Sequence, residues 1–210
     1  MESLGLTRRS LLLTAAAAGG AVLLAGCDGG KSPAPFHSVD ITGAEHAQQL
    51  QLPDADGRLR SLADFKGKVV VLFFGYVHCP DVCPITMGEL AQVKKQLGTD
   101  GERIQGLFVT VDPARDTVDV LAEYVAAFHP QLIGLTGTEA QVAEAADNFR
   151  VWYERSEDAA APDGYLMAHS GYIYLMRPDG DFDSVYREGD QPPEALAEEI
   201  LMRIERDERT

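Results

Sequence analysis

Lys68-Val69-Val70-Val71-Leu72-Phe73-Phe74-Gly75-Tyr76 runs without a break into Val77-His78-Cys79-Pro80-Asp81-Val82-Cys83-Pro84. The first part is a short continuous apolar run, as expected of a central strand covered on both faces. Pro80 pushes Cys79 away from helical angles, whereas Pro84, lacking an N–H, is tolerated in a first helical turn. Both constraints are met if regular helix starts near Cys83. Cys79 and Cys83 then sit on a strand-to-helix turn at the positive end of a helix dipole, which favours thiolate.

Outward from this turn, strands and helices alternate. Met87, Leu90, Val93 and Leu97 recur at helical spacing, and Gly98 marks the stop. A second buried strand is expected at Ile104–Val111. A turn over Asp112–Thr117 leads to a helix with Val118, Leu121, Ala122, Val125 and Phe128 on one face. Leu132–Leu135 reads as a short strand, and Thr138 as the cap of a helix reaching Asn148. Arg155–Gly164 is polar and reads as a loop. Gly171–Met176 reads as a strand, and Pro178-Asp179-Gly180 as a turn into Phe182–Tyr186. The last helix carries Leu196, Ile200 and Ile204 as a stripe. Upstream, Asp56-Gly57 signals a hairpin within Leu50–Arg60. The whole predicts an α/β chain with a mixed central sheet flanked by helices, of thioredoxin-like type.

The N-terminus reads as an address. Arg8 and Arg9 precede Leu11–Ala25, an uncharged run long enough for an export signal and too short for a comfortable membrane span. The paired arginines suggest the route that exports folded proteins. Leu24-Ala25-Gly26-Cys27 reads as a lipobox, with cleavage before Cys27 and lipid on its sulfur. Asp28 then resembles an inner-membrane retention signal. Residues 1–26 are thus expected to be a signal peptide, 27–45 a lipid anchor and flexible tether, and 46–210 the thioredoxin-like domain. The expected location is the periplasmic or extracytoplasmic face of a membrane.

Residues 1–26 carry Arg8, Arg9 and Glu2, so the remainder has 16 basic and 32 acidic residues, a net charge of −16. Such a surface repels nucleic acid. It also leaves membrane attachment to the lipid rather than to surface charge. Of three cysteines, Cys27 is assigned to the anchor. A bridge between Cys79 and Cys83 would close so small a loop that it would stabilise little. A redox or metal role is the stronger reading.

A four-residue offset along a helical path separates the two Cα atoms by about 6 Å, which suits either a disulfide or a shared metal. Two thiolates select Cu(I), zinc or iron–sulfur chemistry. Structural zinc and [2Fe–2S] clusters want four ligands, and no second cysteine pair is present. Two cysteines with one imidazole suit Cu(I). Among five histidines, His37 and His46 lie in the tail and early loop, His78 adjoins Cys79, and His129 sits at a helix end. His169 immediately precedes the Gly171–Met176 strand, where a thioredoxin-like fold brings a loop to face the cysteine turn.

Several motifs in order make the chain resemble the Sco/SenC family of copper proteins. They are Gly75–Pro84, Val109-Thr110-Val111-Asp112-Pro113-Ala114-Arg115-Asp116-Thr117, Phe128-His129-Pro130, Gly134–Thr138 and Ala168-His169-Ser170. The resemblance spans about Leu52 to the C-terminal helix. It implies a thioredoxin-like fold and copper held by Cys79, Cys83 and His169. The implied role is metallochaperone for the dinuclear copper A centre of cytochrome c oxidase. The implied partners are oxidase subunit II or another copper-accepting protein, and a copper donor. Family members commonly have aspartate before the ligand histidine, where this chain has Ala168; an aspartate there could orient the imidazole. Asp112 and Asp116 match a family motif, and turn and helix capping is their ordinary reading.

The main alternative is a thiol–disulfide oxidoreductase, with Cys79 and Cys83 as a redox pair that reduces the copper-site cysteines of its partner. Peroxide reduction is disfavoured because Tyr76 stands where a peroxiredoxin pattern has threonine. A structural disulfide in a binding module would make His169 irrelevant.

Overall fold

The computed structural model describes residues 38–44, 49–161, 163–189 and 192–207. The expected signal, Cys27 with its expected lipid, His37 and His46 lie outside the described residues.

In chain order the elements are β1 (Val39–Asp40), β2 (Leu52–Pro53), β3 (Leu59–Arg60), β4 (Val69–Gly75), α1 (Val82–Gln96), β5 (Ile104–Thr110), α2 (Val118–Phe128) and β6 (Ile133–Leu135). Then come α3 (Glu139–Asn148), β7 (Tyr153–Glu157), β8 (Tyr165–His169), β9 (Tyr172–Met176), β10 (Phe182–Arg187) and α4 (Pro193–Asp207). The main sheet has the order β1-β10-β9-β4-β5-β6. β4 is parallel to β5, β5 is parallel to β6, and β4 is antiparallel to β9. This is the mixed sheet of a thioredoxin-like fold.

β4 is central because every one of its residues is buried, which is what an unbroken apolar run permits. β5 is likewise buried throughout. α1 turns Cys83, Met87, Leu90 and Val93 inward, and α4 turns Leu196, Ile200 and Ile204 inward. The Thr138 hydroxyl caps α3 by accepting from Gln141 N at 3.3 Å. The Asp56-Gly57 hairpin is present as β2–β3, with Gly57 at φ +72°. β1 pairs with β10, so ordered pairing begins before residue 46.

One stretch departs from its expected form. Residues 155–164 are not all loop: Tyr153–Glu157 is a strand that pairs antiparallel with Tyr165–His169. This two-stranded ribbon stands apart from the main sheet, and Glu154 to Glu157 are exposed. A strand with solvent on both faces has no apolar alternation to betray it. Consequently His169 is the last residue of a strand rather than part of a long loop.

Two buried cations also shape the frame. Lys94 reaches the carbonyls of Gly101 and Ile104 at 2.7 and 2.8 Å. Arg203 binds Asp183, Ser184 and Glu199 between α4 and β10. Both satisfy the rule that buried charge needs partners. Among the described residues, no helix is long and apolar enough to cross a membrane.

Candidate metal centre

β4 ends at Gly75, and the chain turns through Tyr76–Asp81 before α1 begins at Val82. The turn is held from below. Asp116, wholly buried, accepts from Val77 N at 3.0 Å and from Thr110 Oγ1 at 2.6 Å. Thr117, not Asp116, caps α2, accepting from Val120 N at 3.4 Å. Capping is therefore the wrong reading of Asp116; its carboxylate ties the cysteine turn to the end of β5. Asp112 does take part in the turn, its carbonyl accepting from Arg115 N and Asp116 N. Its carboxylate also binds Arg115 Nε at 2.5 Å and accepts from the Tyr165 hydroxyl at 3.1 Å.

Gly75 makes room for a thiol. A Cβ at this position would lie 2.9 Å from Cys83 Sγ and 2.9 Å from the Phe73 ring, closer than real contacts allow. Cys83 is thereby fully buried against the strand, whereas Cys79 is half-buried. Both cysteines are free.

His169 comes from the end of β8. Its Nε2 is 3.7 Å from Cys83 Sγ. Its Nδ1 is 3.2 Å from the Ser170 carbonyl, which can only accept, so Nδ1 carries a proton. In the neutral ring that leaves the Nε2 lone pair facing the thiols. The ring is wedged edge-on between Tyr76 and Phe73, each with centroids 6.0 Å away. β8 is itself locked to the core. Arg115 stacks on Tyr165 at 3.7 Å, and Arg155 covers the other face at 3.9 Å. Arg115 also reaches Asp163 and the Tyr165 carbonyl at 3.3 Å.

Of the other histidines, His78 faces away from the thiols, with Nδ1 3.7 Å from Asp116 and Nε2 4.0 Å from Asp163. His129 follows α2, its Nδ1 accepting from Gln131 N at 3.2 Å. The structure thus brings Cys79, Cys83 and His169 together and leaves His78 and His129 out.

The two sulfurs share one proton unequally. The hydrogen bond from Cys83 outweighs burial and, with His169 and the backbone N–H groups of Asp81 and Cys83, pulls Cys79 down to about 3. Cys83 is pushed far up, first by donating to Cys79, then by burial and by the Cys79 charge. Burial disfavours the His169 imidazolium, but Cys79, the Ser170 carbonyl and the charge of Glu188 outweigh it and raise its pKa. Burial, and then the Cys79 charge, raise Tyr76 to about 12, so it stays neutral.

A soft cation suits this donor set. Thiolate and imidazole bonds of about 2.3 and 2.0 Å to one ion, at angles between tetrahedral and trigonal, put sulfur and nitrogen about 3.5–3.7 Å apart. The 3.7 Å from Cys83 to His169 falls in that range. Among the described residues no three His, Cys, Asp or Glu side chains are already closed into a cage. Cys83 and His169 are at ligand spacing, and Cys79 hydrogen-bonds with both.

Sequence reasoning reached the two cysteines through their prolines and spacing. It missed Asp116 as an anchor and Arg115 as a latch, because both act through partners far along the chain. It also missed Glu188, whose charge bears on the site from beyond β10.

Comparison with known proteins gives the family. Residues 39–205 match the SCO1/SenC family. The protein SCO2 homolog, mitochondrial, of Homo sapiens is 45% identical over 139 residues, covering 65% of this chain and 52% of that one. The chain thus spans about half the length of the curated relatives it matches. The solved ScoI of Bradyrhizobium japonicum with copper bound is 35% identical with a TM-score of 0.67, covering 74% of this chain and 97% of that one. The ScoI of Arabidopsis thaliana with copper bound is 33% identical with a TM-score of 0.70, covering 75% and 97%. With the match extending over most of its length, from β1 into α4, this chain belongs to the SCO1/SenC family.

Proposed function

We propose that this protein is a copper metallochaperone that holds one Cu(I) through Cys79, Cys83 and His169 and passes it to a copper-accepting partner. The observation that carries this reading is the 3.7 Å separation of Cys83 Sγ from His169 Nε2 beside the Cys79 thiolate. Copper is bound in the solved ScoI proteins of B. japonicum and A. thaliana. The acceptor suggested by the family resemblance is the copper A site of cytochrome c oxidase subunit II.

Binding would draw Cys79 onto the Cys83–His169 pair and release the proton that Cys83 holds. Cys79, half-exposed, is the sulfur a partner thiolate could displace first. Cys83, buried behind Gly75, would let go last. Transfer would proceed by exchange of one sulfur at a time. Export as a lipoprotein through Cys27 would keep the site at the extracytoplasmic membrane face, near a membrane-bound acceptor.

A second reading is supported by the same lowered Cys79 pKa: thiol–disulfide exchange with the partner's copper-site cysteines. Cys79 would attack the partner disulfide, and Cys83 would resolve the mixed disulfide, leaving the partner reduced and this pair oxidised. Two mixing experiments separate the readings. Copper-loaded chain is mixed with a reduced copper A domain, and metal-free reduced chain with the oxidised domain. The chaperone reading expects copper to move in the first. Thiol exchange alone, with copper retained, would favour the second reading.

A further inference from the structure

Glu188 is a half-buried carboxylate that the three candidate ligands do not account for. It follows β10 directly, and its N–H donates to the Gly171 carbonyl at 2.9 Å, two residues beyond His169. A Cβ on Gly171 would lie 2.1 Å from Glu188 Oε1 and 2.5 Å from its carboxyl carbon. The carboxylate is therefore laid across the bare backbone of Gly171, in the short link between β8, which ends at His169, and β9. Oε2 is buried and finds no hydrogen-bond donor among the described residues.

The groups Glu188 acts on are those of the site. It favours the charged form of His169 and opposes ionisation of Cys83. Its own ionisation is opposed first by burial and then by Cys79, and is eased by His169 and Arg187. A partly desolvated carboxylate with a bare oxygen beside a thiolate is costly in the metal-free protein. A cation between the sulfurs would offset that cost. Position 168, directly before His169, is Ala and supplies no carboxylate; Glu188 brings one to the same neighbourhood from the end of β10.

We propose that Glu188 is a positioning charge of the metal site, raising its affinity for a divalent ion relative to a monovalent one, so that Cu(II) gains over Cu(I). The proposal rests on the reading that Cys79, Cys83 and His169 hold the metal. Glu188 acts through space and is not a ligand. At a fixed distance a carboxylate attracts a doubly charged ion twice as strongly as a singly charged one, and burial limits screening. Gly171 sets that distance, because any side chain there would push the carboxylate aside.

The test titrates the reduced full chain with Cu(I) and, separately, with Zn(II) as a redox-inert divalent probe, each against a competing chelator. Glu188→Gln and Gly171→Ala are compared with the unsubstituted chain. Both variants are expected to lose about tenfold more affinity for Zn(II) than for Cu(I). The metal-free Glu188→Gln chain should melt at the same temperature or higher, because burial opposes the charge and its Oε2 has no hydrogen-bond donor among the described residues. Gly171→Ala keeps the charge and moves it, which separates placement from net charge and stands in if Glu188→Gln does not fold. Equal losses for both ions, or no loss, would overturn the proposal. A lower melting temperature with both affinities reduced alike would make Glu188 merely structural and overturn it too. Failure of the unsubstituted chain to hold Cu(I) would instead overturn the ligand set, and the proposal with it.

Discussion

Cys83 Sγ and His169 Nε2 stand 3.7 Å apart although 86 residues separate them in the chain. Two independent supports hold that distance. Asp116 fixes the cysteine turn from below, and Arg115 clamps the ribbon that carries His169. The behaviour of the site should follow from these supports.

Cys79 should react as a thiolate well below neutral pH. A group whose pKa is lowered to about 3 stays charged as pH falls from 8 to 5. Its alkylation rate by iodoacetamide should therefore stay nearly flat, whereas an ordinary cysteine slows about tenfold per pH unit below its pKa. Cys83→Ala removes the largest cause of the lowering, the hydrogen bond that the Cys83 thiol donates to Cys79. The rate at pH 5 should then fall several-fold. Mass spectrometry of the alkylated peptide gives both rates.

Asp116→Ala should destabilise the fold and loosen the turn together. The substitution strips acceptors from Val77 N and Thr110 Oγ1, and leaving a buried donor unsatisfied costs about 1–3 kcal/mol. Burial is also the first cause raising the Asp116 pKa. A raised carboxyl pKa contributes stability below its unfolded value and loses it as pH rises through the folded one. The unsubstituted chain should therefore lose some of its advantage over the alanine variant as pH rises above the ordinary carboxylate range. Urea unfolding at several pH values measures this.

Arg115→Lys should free the ribbon without unfolding the sheet. Lysine keeps the charge but loses the planar fork that stacks on Tyr165 and binds Asp112 and Asp163. Backbone amides paired in β7–β8 should exchange at least about tenfold faster, a local opening, while those of β4 and β5 keep their protection. Hydrogen exchange read peptide by peptide distinguishes this from global loss.

The parts of the fold that bury apolar surface were legible in the sequence. β4 and β5 announced themselves as unbroken apolar runs, and α4 as a stripe of Leu196, Ile200 and Ile204. The cysteine turn was legible because prolines restrict backbone angles locally. The β7–β8 ribbon was not, since Glu154, Arg155 and Ser156 face water and keep no period. Lys94, Asp116, Arg203 and Glu188 escaped for another reason. A buried charge is licensed by partners that only the folded chain brings near, and no local pattern marks it. His169 lay between these cases. Its neighbourhood was readable from the order of strands, but its pairing with Cys83 rested on family resemblance until the structure placed the two together.

The central claim is that Cys79, Cys83 and His169 hold copper as one set, and a Cu(I) titration of the reduced full chain against a competing chelator tests it most directly. We expect one tightly held copper per chain, with His169→Ala binding at least about tenfold more weakly, as loss of one good ligand interaction predicts. Absence of retained copper, or an unchanged affinity in His169→Ala, would contradict the account and leave the cysteine pair as a redox couple alone.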